Sequence, residues 1–170
     1  MAQIKLTTPA FLVLGLVEQL QPATPYELKA MTEISVAKFW TLPHTQIYAQ
    51  CDRLTEIGLL SEERETTGRR RRLLSLTPEG KAQLDAWRAE PAPEPVEIRS
   101  LATLKLFFGA EPTVLAAQQI EQHEAELAQL LALAELDGLT RGQQQALVLG
   151  IGQERAFVQA WRQLAGDAPA

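Results

Sequence analysis

The chain is poor in the residues that usually carry chemistry. Its 170 residues include one cysteine and two histidines. One thiol cannot build an internal disulfide framework and suits a reducing compartment. The histidines, His44 and His123, lie far apart, and neither falls in a cluster with metal-ligand spacing, so no metal and no cofactor is expected. No phosphate-cradling glycine loop, nucleophile elbow or catalytic carboxylate pair is visible, and an enzyme is not expected. No apolar run approaches the roughly 20 residues that span a bilayer. Met1 to Lys5 lack the basic region and cleavage site of a signal peptide. A cytoplasmic protein without membrane contact is the expectation. Positive charge is also short: the net charge is −5, which argues mildly against a nucleic-acid partner.

What is present is unevenly placed. Residues 1–89 carry 11 Lys/Arg against 10 Asp/Glu, and residues 90–170 carry 5 against 11. The halves therefore differ in electrostatic character. Binding to nucleic acid needs a local basic surface, not a basic protein. Between the halves, Glu90-Pro91-Ala92-Pro93-Glu94-Pro95 has the composition of a semi-rigid spacer. The expected organisation is a domain over 1–90, a linker over 91–98 and a second domain over 99–170. A hydrophobic content of 46% is enough to fill a core.

The stretch from Leu42 to Gly80 organises the chain. Pro43 suits a first helical turn, and Gly58 suits a helix stop with positive φ. Between them Ile47, Cys51 and Leu54 share one face at i, i+4, i+7. Thr45, Ala49, Asp52, Arg53 and Glu56 take the opposite face, flanked by Gln46 and Tyr48. Small and polar residues near the N-terminus suit a helix that enters the major groove; an ordinary amphipathic surface helix fits the same pattern. Leu59 to Glu65 and Arg72 to Leu76 read as two strands around a turn at Thr66 to Arg70, with Gly68 as the permissive residue. Arg69, Arg70, Arg71 and Arg72 run consecutively, four of the chain's 16 basic residues. On a protruding turn they can pair with phosphates or enter a narrow minor groove. The other reading is a solvated cluster countered by Glu62, Glu63 and Glu65. Thr77-Pro78 then opens another helix. Helix, strand, basic turn, strand, helix is the order of a winged helix.

Several pieces of this region together resemble the PadR family of bacterial transcriptional regulators. They are Tyr26-Glu27-Leu28, Phe39-Trp40, His44-x-Gln46-Ile47-Tyr48, Arg53-Leu54-x-x-x-Gly58-Leu59, Gly68-Arg69-x-Arg71 and Leu76-Thr77-Pro78-x-Gly80. Leu74 stands where the family usually has an aromatic residue, and Cys51 where leucine is common. The resemblance implies a DNA-binding regulator that dimerises through its C-terminal region and responds to a small-molecule effector, phenolic acids in the founding case. Which effector is not written in this sequence.

The remaining segments fit that frame. Thr8-Pro9 and Thr24-Pro25 are helix starts, the first opening a helix that is apolar almost all round. Phe39-Trp40 reads as core or scaffold. Cys51, on the inner helix face, reads as a buried structural thiol. Beyond the linker three helices are expected, at about Arg99–Phe108, Thr113–Leu136 and Gly142–Leu164. Ile120, His123, Leu127, Leu130 and Ala134 recur by threes and fours as a coiled-coil-like seam. With Phe157 and Trp161 they read as a dimerisation surface around a two-fold axis. A satisfied interface histidine is the ordinary reading of His123.

The fold class is therefore mainly α with a small β-wing: an N-terminal winged helix-turn-helix and a C-terminal antiparallel helical dimerisation domain. The leading function is a homodimeric repressor of a near-palindromic operator, with DNA contacts from His44, Thr45, Gln46, Tyr48, Ala49, Arg53 and Arg69 to Arg72. An effector pocket near Phe11, Trp40, Phe107, Phe108 or Trp161 follows from aromatic content. The rival is a winged-helix interaction module that dimerises without reading DNA. The net acidity favours the rival; the arginine turn favours the regulator.

Overall fold

The computed structural model describes residues 5–66, 70–92, 95 and 97–166. The chain divides into two compact units, Met1–Glu94 and Pro95–Ala170. Gly68 and Arg69 at the wing tip, Pro93 and Glu94 of the spacer, and the C-terminal residues 167–170 lie outside the described residues.

In the first unit, α1 (Thr8–Leu20), α2 (Pro25–Ile34), a 3-10 turn (Val36–Lys38) and α3 (His44–Glu56) precede a hairpin of β1 (Leu60–Arg64) and β2 (Arg72–Leu76), and α4 (Pro78–Ala89) follows. α1 begins one residue earlier than the sequence suggests. Thr7, not Thr8, holds the cap position, with no side-chain cap bond. The second Thr-Pro start is a full capping box: Glu27 N–H donates to Thr24 Oγ1, and Thr24 N–H donates to Glu27 Oε2 at 2.7 Å. Each half satisfies a helix-end donor that would otherwise lack a partner.

The core forms where three faces meet. Val13, Leu14 and Val17 of α1, Leu28 of α2, and Ile47, Cys51 and Leu54 of α3 are fully buried together. Leu60 and Leu74 close it from the hairpin, and Leu84 from α4. Burying each such leucine or valine contributes about 1.5–3 kcal/mol against leaving it in water. Phe11 of α1 stacks on Trp87 of α4 with centroids 4.9 Å apart. Gly80 is required by close approach. A Cβ there would sit 2.1 Å from the Leu59 carbonyl oxygen, so only glycine lets α4 start beside the hairpin.

Phe39 and Trp40 correct the sequence reading. They are 70% and 45% exposed, not core. They follow the 3-10 turn on the loop into α3, and Leu42 is the loop residue that reaches the core. The space beneath α3 is already filled by Ile47, Cys51 and Leu54.

The hairpin is antiparallel, with Leu60 opposite Leu76, Glu62 opposite Leu74 and Arg64 opposite Arg72. Side chains two apart share a face. Leu60, Leu74 and Leu76 therefore share a face with Glu62, Arg64 and Arg72, which continue it outward towards the wing tip. On the far edge of β2, Ala23 and Leu74 exchange two backbone bonds of 3.0 and 2.8 Å.

The second unit holds α5 (Leu101–Phe107), α6 (Pro112–Ala134) and α7 (Arg141–Ala165). α6 and α7 form a helical hairpin joined by a short loop. A capping box between Thr140 and Gln143 opens α7. Part of the stripe read as a dimerisation seam is covered from within the chain. His123 stacks on Phe157 at 4.7 Å, and its Nδ1 lies 2.6 Å from Glu154 Oε2. Leu130 is buried against Gly150 of α7, and Ile120 packs on the Trp161, Ala102 and Ala116 cluster. Leu127 is half-buried and Ala134 exposed. Long neighbouring helices joined by a few residues meet each other first, so much of the stripe is used within the hairpin.

No helix among the described residues is long and apolar enough to cross a membrane.

Candidate nucleic-acid interface

α3 has two faces with different environments. Its inner face, Ile47, Cys51 and Leu54, is anchored in the core. That burial raises the Cys51 thiol to about 11 by desolvation, and the residue is an inert structural thiol. The outer face presents Thr45, Gln46, Tyr48 and Ala49, all exposed, with Arg53 half-buried at the edge. Gly58, at φ +78°, ends the helix and turns the chain into the hairpin.

His44 stands at the first position of α3 and is tied backwards. Its Nε2 lies 2.9 Å from Glu33 Oε1 of α2, and Lys29 holds the same oxygen at 2.9 Å. Lys29 first, and His44 to a lesser degree, keep the Glu33 carboxyl below its usual range. The contact joins the end of α2 to the start of α3, and no pattern in the sequence pointed to it.

The arginine run divides into residues with different surroundings. Arg70 is exposed, with φ at +48°, where non-glycine residues are uncommon. Arg71 is held by Glu65: its Nη2 donates to Oε1 at 2.7 Å and its Nε donates to both carboxylate oxygens at 3.1 Å. That bidentate pairing lowers the Glu65 carboxyl. Arg72 is only 25% exposed in its side chain. Its Nε donates to Glu62 Oε2 at 2.6 Å, Nη1 donates to Asp52 Oδ1 of α3, and Nη2 donates to Thr55 Oγ1 at 3.4 Å. Glu62 also accepts from Arg64 Nε at 2.8 Å. These two arginines, Arg64 foremost, hold the Glu62 carboxyl below its usual range.

The sequence singled out Arg72 and, as a countercharge to the run, Glu62, but not its partners Asp52 and Thr55 on α3. For Glu62 the signal was available: alternation along β1 puts Glu62 beside Arg64, and hairpin register puts Arg72 across from Arg64. Asp52 could be found only by folding the hairpin back over α3.

Comparison with known proteins agrees with this geometry. Residues 13–86 match the Transcriptional regulator PadR-like family. The chain is 24% identical over 127 residues to the Negative transcriptional regulator PadR of Bacillus subtilis (strain 168), covering 71% of this chain and 69% of that protein. Its fold is that of the crystal structure of Bacillus subtilis PadR in complex with operator DNA, with a TM-score of 0.81 and 21% identity over 95% of this chain and 100% of the other. The same protein in complex with p-coumaric acid superposes with a TM-score of 0.73 and 21% identity over 92% and 96%. Both units of the chain therefore have counterparts in one known fold, and residues 13–86 are similar to the PadR-like family of transcriptional regulators.

Proposed function

We propose that the chain is a cytoplasmic DNA-binding repressor that acts as a homodimer on a near-palindromic operator and is released by a small molecule. The observation that carries this reading is the outer face of α3. Thr45, Gln46, Tyr48 and Ala49 are exposed together on a helix whose other face is locked in the core, with a basic hairpin beside it. Side chains near the N-terminus of such a helix reach base edges in the major groove. Arg53 and Arg70 supply charge for flanking phosphates. In this reading the first unit reads DNA, and the second, beyond the spacer at 91–98, dimerises.

Support for the dimer comes from apolar surface on the second unit. Leu101, Phe107 and Phe108 near α5, and Val148 and Leu149 on α7, are each more than two-thirds exposed. Large apolar side chains exposed in this number favour an interaction surface on this unit. A two-fold dimer sets the two recognition helices on half-sites about 34–36 Å apart or a multiple of that.

The effector reading rests on the relative that has been crystallised with p-coumaric acid. Of the aromatic residues considered for a pocket, Phe11 is engaged with Trp87 and Trp161 is buried, whereas Trp40, Phe107 and Phe108 are exposed. Titrating phenolic acids against tryptophan fluorescence tests whether a ligand of this class binds.

The function itself is tested by fluorescence anisotropy against DNA from upstream of the chain's own gene, with a scrambled duplex as control, over a salt series. Tight, competable binding that weakens steeply as salt rises is the expected result. Absence of binding to either duplex at low salt would favour the protein-interaction module.

A further inference from the structure

The geometry points to Arg72 as a positioning residue that ties the wing to the recognition helix, rather than as a DNA ligand like its neighbours in the run. This inference rests on the DNA-binding reading above. Three observations carry it. The guanidinium is engaged through all three nitrogens in two directions: towards β1 through Glu62 and towards α3 through Asp52 and Thr55. Its side chain is largely shielded, at 25% exposure, where Arg64 on the paired position is at 76%. Its anchor points are themselves fixed, since Glu62 is also held by Arg64 and Thr55 Oγ1 donates to the Cys51 carbonyl at 2.8 Å.

The consequence is geometric. Asp52 lies about two turns beyond Thr45 on the outer face of α3. A bridge from β2 to Asp52 fixes the angle at which the hairpin leaves the helix. Base edges read by Thr45 and Gln46 and phosphates met by the wing can be engaged at once only if that angle is held. Planar, multidentate arginine suits this role, and lysine cannot bridge three acceptors in the same geometry. The tie also neutralises Asp52, which would otherwise present a carboxylate to the phosphates from the outer face of the helix.

The test uses the full chain and a duplex enriched by it from a random pool, with a scrambled duplex as control. Three variants separate geometry from charge: Arg72→Lys, Arg72→Gln, and the pair Arg72→Gln with Asp52→Asn, which keeps the local net charge. Expected for Arg72→Lys and for the pair is a roughly tenfold weaker hold on the enriched duplex, little change on the scrambled one, and an unchanged slope of log affinity against log salt. A slope reduced by about 0.9 in both Arg72→Gln and the pair would make Arg72 a phosphate ligand and overturn the inference. Wild-type affinity in Arg72→Lys, or in the pair, would overturn it as well, by showing that charge alone matters or that the tie is dispensable. If the unmodified chain enriches no sequence, the DNA-binding reading falls and the inference falls with it, which the variants' failure alone would not bring about.

Discussion

The two units bury their apolar residues to different degrees. In the first, α1, α2, α3, the hairpin and α4 converge on one cluster with leucines at or near zero exposure. In the second, the buried cluster is Ala102, Ala116 and Trp161, with Leu106, Leu115 and Ile120 packed at its edge. It leaves Phe107, Phe108, Val114, Val148 and Leu149 at 70% exposure or more. The contrast teaches that a core needs elements from several directions. Two antiparallel helices and a short third one offer each other a stripe, and everything off the stripe waits for another surface. The first unit is complete as a single copy; the second has the surface of a half-built bundle.

The largest effect should come from breaking the unfinished side. Introducing Val148→Glu with Leu149→Glu should weaken self-association by at least a hundredfold or so. Each apolar side chain is worth about 1.5–3 kcal/mol when buried, and a two-fold interface uses each substitution twice. Sedimentation velocity across a dilution series would read it, and a wild-type dimer in the double variant would place the interface elsewhere.

Core truncation should then distinguish the units. Leu54→Ala in the first should cost about 2–5 kcal/mol, and Trp161→Ala in the second about 3–5 kcal/mol. The sharper expectation concerns mass action. If the second unit dimerises as proposed, its unfolding midpoint in urea should depend on protein concentration, and that of the first hardly at all. Concentration-independent melting of both would erase the contrast.

Acid should act on the first unit through its ion pairs and its capping carboxylate. Arg88 foremost lowers Glu18, the Thr24 backbone N–H foremost lowers Glu27, and Arg71 foremost lowers Glu65. A carboxyl whose folded-state value is depressed stabilises the fold above its ordinary value of 4.5, and that contribution is lost as pH falls through the lower folded-state value. Thermal melts followed in a Trp161→Phe variant report Trp40 and Trp87, both in the first unit. The melting temperature should hold between pH 7 and 5 and fall below about 4.5. Invariance down to pH 3 would mean these pairs contribute nothing.

Much of the first unit was legible in the sequence because its signals are local. The 3.6 period of α3, Gly58 at its end and Thr77-Pro78 opening α4 each act within a few residues, and the second strand appears where its alternation put it. What escaped depends on residues far apart. Phe39 and Trp40 are large enough for a core, but whether they enter it depends on whether Ile47, Cys51 and Leu54 have already filled the space. The seam of α6 was read as a stripe facing a partner, and part of it meets α7, since periodicity shows that a face is buried without showing by what. The division of labour among Arg70, Arg71 and Arg72 lies in the same class, because it is set by carboxylates on β1 and α3.

That division gives the smallest prediction and the most specific one. Arg70 is exposed, whereas Arg71 is paired with Glu65 and Arg72 with Glu62 and Asp52. A guanidinium that is already neutralised releases few counterions on meeting DNA; an exposed one releases close to a full equivalent. Arg70→Ala should therefore lower the salt slope of DNA binding by about 0.9, on enriched and scrambled duplexes alike. Arg71→Ala should lower it by less, because it also frees Glu65 next to the phosphates, and affinity should suffer more than the slope. Equal slope changes for the two would mean that the Glu65 pair opens on binding. The wing would then be a reserve of charge released by DNA, not a rigid arm on which Arg71 and Arg72 stay paired.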